Sequence, residues 1–163
     1  MKKTLLTIAF LLTSMWAFNQ DFTSLADIAF NNAEDYRTKE ALVKECASFI
    51  LSQPYKSEEQ NKLYGIQFIL RWMEGTPDYM FSLGQDYSDL CKNDLELSTT
   101  YLAALALAAV DPAVVDKSSD NLSKQAKEFF LDYCARPENK VKTNRSIKKA
   151  LEEKSGQIGS PEP

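Results

Sequence analysis

The chain has 163 residues, 44% hydrophobic and 26% charged, with five glycines and six prolines, a composition that fits one globular domain. It carries 19 basic and 23 acidic side chains, a formal charge of −4, and no histidine. The acidic balance lacks the basic footprint of a nucleic-acid binder, and the missing histidine excludes a Ser/His/Asp triad, a Cys/His pair and histidine-ligated zinc.

Met1 to Gln20 has the three parts of an export signal: Lys2-Lys3, the apolar run Leu5 to Leu12, and a more polar exit from Ser14. The expected cleavage lies within residues 17–21, and its loss leaves 17 basic against 23 acidic side chains. The first cysteine is Cys46, so no lipid anchor is expected at that site. The mature chain is expected to be periplasmic or secreted, without stable membrane insertion.

Residues 21–154 are predicted to form a single helical domain. Phe22, Leu25, Ile28 and Ala29 recur at helical spacing over Asp21 to Tyr36, with Asn31-Asn32 weakening the pattern. Lys39 to Gln53 follows, with Leu42, Cys46, Phe49 and Ile50 on one face and Pro54 as its stop. Ser57 to Glu74 carries two stripes: Leu63, Ile66, Ile69, Leu70 and Met73, and an aromatic one of Tyr64, Phe68 and Trp72. Two stripes predict two sets of neighbours, and Gly65 marks a close approach. Capping boxes are read at Ser57/Gln60, Ser82/Gln85 and Asn93/Glu96. Gly75-Thr76-Pro77-Asp78 reads as a helix end and turn.

The helix over about 94–110 is predicted to be the centre of the fold. From Tyr101 to Val110 it is apolar on every side, which requires enclosure, yet it is far shorter than the roughly 20 residues that cross a bilayer. A loop from Asp111 to Ser119 leads to an amphipathic helix over Asn121 to Ala135. A last helix covers Ser146 to Lys154, and residues 155–163 are expected to be a disordered tail. The expected fold class is therefore all-α, an irregular bundle of six or seven helices around a buried central helix.

The exit of the signal into Gln20-Asp21, the run from Phe68 to Tyr79 (FILRWMEGTPDY) and the run from Tyr133 to Val141 (YCARPENKV) resemble an uncharacterised family of small exported helical proteins from Bacteroidota-type bacteria. The resemblance spans most of the mature chain and implies export and an all-helical fold. It implies no activity, ligand or catalytic residue.

The stretch from Arg71 to Tyr79 (RWMEGTPDY) has the greatest chemical variety. Arg71, Trp72 and Tyr79 are types enriched at binding hot spots, and Glu74 and Asp78 complete the expected contact surface. Arg71 and Glu74 stand at i, i+3, placed to pair. The rival reading makes Glu74 and Asp78 the acid and base of a glycan hydrolase, which needs carboxyls roughly 5–9.5 Å apart. Cys46, Cys91 and Cys134 lack metal spacing and are read as three buried thiols, or as one disulfide and a free thiol. Asp86, Asp89 and Asp94 lack a calcium-loop pattern, while Lys140, Lys142, Arg145, Lys148 and Lys149 form an exposed basic face.

These features predict a non-catalytic exported interaction protein of the cell envelope, with no cofactor and another envelope or secreted protein as its partner. The alternatives are a carboxylate-dependent cell-wall glycan hydrolase and an inhibitor or immunity-type protein.

Overall fold

The structure, a computed structural model, describes residues 21–158. The export signal and the last five residues of the expected tail lie outside the described residues. Seven α-helices and two 3₁₀ turns make up the described chain, and it contains no strand. The helices are α1 (Ala33–Thr38), α2 (Glu40–Ser52), α3 (Gln60–Gly75), α4 (Gln85–Cys91), α5 (Leu95–Val110), α6 (Ser119–Ala135) and α7 (Arg145–Ile158). This is the expected all-α bundle, and none of its helices is long and apolar enough to cross a membrane.

Helix α5 is central. It touches α2, α3, α4 and α6, and Ala103, Ala104, Leu105, Ala106, Ala108 and Ala109 have no exposed surface. Its alanines bring the neighbouring backbones close, while leucine and alanine favour the helix intrinsically. Asp94 supplies the N-cap, accepting from Leu97 N at 3.0 Å, so a single cap one residue later replaces the expected Asn93/Glu96 box. Enclosure is incomplete, however: Leu95 is 82% exposed and Leu102 is half-buried.

Helices α2 and α3 form an antiparallel hairpin lying beside α5. Tyr55, just past α2, donates through its hydroxyl to Asp94 at the start of α5 (2.6 Å), and Lys44 near the other end of α2 meets Asp111 past the end of α5. Thus α2 runs against α5 and α3 runs with it. The inward face of α2 is Val43, Cys46, Ala47, Ile50 and Leu51, rotated one position from the predicted one, with Leu42 and Phe49 at its edge. Gly65 sits where α3 approaches α2, its missing Cβ facing Cys46 and Ile50 at 3.6 Å.

Several local expectations are corrected. The chain from Asp21 to Tyr36 is not one helix: a 3₁₀ turn (Thr23–Asp27) buries Leu25, and α1 begins afresh after Asn32. Asn32 accepts from Glu34 N and Asp35 N while Asp35 receives the Asn32 N–H, so the asparagine pair starts a helix where the periodicity had suggested an end. Neither Ser57 nor Ser82 caps a helix; the N-caps are Glu59 and Gly84, without side-chain bonds. Ser57 Oγ is instead buried without a partner. Helix α7 continues to Ile158, so the start of the expected disordered tail is helical. Lys154, through Glu128 and Asp132 on α6, pins this last helix to the bundle.

Candidate functional site

The Arg71–Tyr79 stretch closes the end of α3 against the N-terminal segment. Arg71 does not pair with Glu74. Its guanidinium turns inward, donating from Nη1 to Ile28 O at 2.9 Å and from Nη2 to Leu25 O at 2.5 Å. Those carbonyls lie at the end of the first 3₁₀ turn, where Leu25 O also accepts the Ile28 N–H, and a bond from a charged donor is stronger than a neutral one. Trp72 is fully buried and donates through Nε1 to Tyr36 O at 3.0 Å. The connector after α3 folds back so that the Tyr79 and Phe81 rings pack on the indole at 5.5 and 6.0 Å.

The remaining residues of this corner are likewise engaged. Tyr79 is half-buried and donates its hydroxyl to Glu40 at 2.9 Å; desolvation, followed by the Glu40 carboxylate, pushes its pKa up to about 12. Asp78 receives both Nε and Nη2 of Arg37, at 2.8 and 2.9 Å, and these bonds hold its carboxyl below the ordinary aspartate value. Tyr36 lies over Gly75 so closely that a Cβ there would fall within its phenol. Of the five residues predicted as a contact surface, Trp72 is inaccessible, Arg71, Asp78 and Tyr79 tie the corner together, and Glu74 alone is exposed without such a tie.

The corner offers little to acid–base chemistry. A general acid needs a raised carboxyl pKa, whereas Asp78 is lowered by its bonds from Arg37. The three cysteines are free and buried, and burial pushes each thiol up to about 12, which leaves little thiolate for nucleophilic attack. Among the described residues no group of three His, Cys, Asp or Glu is placed to hold a metal ion.

The open surface lies along the other side of α3. Leu63 and Leu70, read from sequence as core, are exposed, while Ile66 and Ile69 of the same stripe are buried. Of the aromatic stripe, Phe68 is buried under Phe30 and Trp72 under Tyr79 and Phe81, while Tyr64 is half-buried. Helix α5 covers only part of the leucine stripe, and a shallow seam remains between the two helices. At one end Leu63, Ile66, Leu95 and Thr99 line a depression of about 320 Å³. At the other, Leu70, Met73, Phe81, Leu83 and Leu102 line one of about 360 Å³.

The seam has an apolar floor and an acidic rim. Lys62 is 5% exposed, turned in to bond Glu96 and, at 3.5 Å, Pro54 O. Glu58 and Glu59 border the first depression and Glu74 the second. All three are exposed, and among the described residues none is in an ion pair. Four of the six large apolar side chains exposed in the described chain (Leu63, Leu70, Leu83 and Leu95) line this seam; Val115 lies apart, past the far end of α5. Leu95, Thr99 and Leu102 at i, i+4, i+7 are the sequence signal for it, a stripe masked where it enters the uniformly apolar run from Tyr101.

In comparisons with known proteins, no protein family, curated protein or solved structure matches the chain.

Proposed function

We propose that the protein is a non-catalytic, exported interaction protein that contacts its partner through the α3–α5 seam. The observation that carries this reading is the clustering of exposed leucines in two acid-rimmed depressions along α3, since scattered apolar residues are ordinary and a clustered patch marks a binding surface. The lowered carboxyl of Asp78 and its engagement by Arg37 weigh against the glycan-hydrolase alternative. Export to the envelope or medium rests on the Lys2-Lys3 start and its apolar run, and N-terminal sequencing of the exported protein is expected to begin between Phe18 and Phe22.

The test of the seam is a photo-reactive residue placed at Leu95 or, as a control, at Val115, both highly exposed. In the producing cell, position 95 is expected to form a discrete adduct with another protein and position 115 to form none. Adducts at 115 alone would overturn the assignment. A peptidoglycan-cleaving activity abolished by Glu74→Gln, with an unchanged melting curve, would establish the hydrolase instead.

A further inference from the structure

We infer that the partner element seated in the seam is a basic amphipathic α-helix with apolar residues at i and i+7, an inference that rests on the seam being the contact surface. The spacing of the two depressions is the first argument. Leu63 and Leu70 stand on their respective walls and are two turns apart on α3, about 10 Å along its axis. A partner helix lying along the seam repeats that distance between its own i and i+7 side chains, so one apolar anchor enters each depression. The seam is walled by two helices whose backbone groups are bonded internally. An extended peptide would find no ladder for its amides here, whereas a helix satisfies its own.

The charge is the second argument. Exposed Glu58 and Glu59 stand at one end and exposed Glu74 at the other, while the one lysine lining these depressions, Lys62, is turned inward onto Glu96. Both ends of the groove therefore present unneutralised carboxylates beside an apolar floor, which selects lysine or arginine flanking the partner's leucines. A second copy of this chain does not meet the requirement with its own basic helix. On α7 the lysines Lys148 and Lys149 face solvent, but Ile147 and Ala150 are already buried in the bundle.

The experiment uses the exported chain, beginning near residue 21, and a synthetic Leu/Lys/Ala peptide of about 18 residues, long enough to hold a helix, with leucines at i, i+3 and i+7. Binding is followed by fluorescence anisotropy at low and physiological salt. Saturable binding is expected, weakened about 30-fold by Leu63→Glu with Leu95→Glu. Reversal of Glu58, Glu59 and Glu74 to lysine is expected to cost about tenfold and to flatten the salt dependence. Equal binding of a Leu/Glu/Ala counterpart, or of a peptide with its leucines at helix-incompatible spacing, would overturn the inference. So would tighter binding of a peptide of residues 2–20, which carries Lys2-Lys3 and its own leucines, or self-association abolished by Leu95→Glu. If the peptide fails to bind while position 95 still forms its adduct in cells, the seam stands and the basic helix falls. If position 95 forms no adduct either, both readings fall together.

Discussion

Helix α3 carries two regions of opposite character. Its C-terminal corner has a cation, an indole, a phenol and two carboxylates within nine residues, yet Trp72 is fully buried and Arg71, Asp78 and Tyr79 each hold another part of the chain. Its seam with α5 is mostly leucine, chemically plain, and open. The difference teaches that varied chemistry marks a contact surface only where its polar atoms lack partners. Hot-spot residue types are also the types that tie loops together, because one large side chain can bury apolar area and place a hydrogen bond. At this corner four such ties join the end of α3 and the connector after it to the N-terminal segment, α1 and α2. The leucines beside them are left without a cover.

That contrast is most sharply tested by truncating the two kinds of residue. Trp72→Ala removes a buried indole and its hydrogen bond to Tyr36 O, so a loss of about 3–5 kcal/mol is expected in a denaturant melt. A loss below about 1 kcal/mol would mean that the corner is not structural. On α5 the same comparison can be made with one residue type. Leu105→Ala, at a site with no exposure, is expected to cost about 2–5 kcal/mol. Leu95→Ala, 82% exposed, is expected to change stability by no more than about 0.5 kcal/mol while weakening partner contact. Equal losses at the two positions would erase the distinction between core and seam.

The two glycines of α3 sharpen the comparison further. Gly75→Ala drives a methyl into Tyr36 and is expected to cost about 1–3 kcal/mol, a penalty relieved when Tyr36→Ala is combined with it. At Gly65 the added Cβ would meet Phe22, Cys46 and Ile50 at 3.5–3.6 Å, ordinary contact distances. Gly65→Ala is therefore expected to stabilise by about 0.5–1 kcal/mol through helix propensity. Opposite signs in a pair of thermal melts would show that α3 is tight at the corner and has room along its middle.

The smallest effect is a pH dependence. Bonds from Arg37 lower the folded-state pKa of Asp78, so its contribution is complete above the unfolded aspartate value, about 3.9, and is lost as pH falls through the lowered folded value. Asp78→Asn is expected to melt slightly below the parent at pH 7, with the gap closing in acid. A gap that widened in acid would mean that Asp78 is not held as a carboxylate by Arg37.

The larger units of the fold were legible because they depend on local pattern. The helix over 94–110, the stops at Pro54 and Gly75, and the helix ending at Ala135 follow from propensity, periodicity and breakers, and the structure places them within a residue or so. Caps were less legible. Ser57/Gln60 has the spacing of a capping box, but the Ser57 N–H closes a turn onto Pro54 O and the helix starts at Gln60, a local alternative to a cap worth roughly 1 kcal/mol. Asn31-Asn32 misled for a related reason: asparagine weakens a helix interior and strengthens a helix start, and only the Asp35 side chain bonded behind it decides which.

The sequence by itself determined that the protein is helical, which helix would be its centre, and which histidine-dependent chemistries are closed to it. Those properties follow from composition and from periodicities a few residues long. Tertiary structure decided the rest: that Arg71 reaches carbonyls 43 and 46 positions away in preference to its neighbour Glu74, and that α3 buried Phe68 and Trp72 with Ile66 and Ile69 and left Leu63 and Leu70 outside. Both stripes are apolar, and periodicity cannot rank them. The choice depended on how many neighbouring helices were present to cover them, and that number is a property of the assembled bundle.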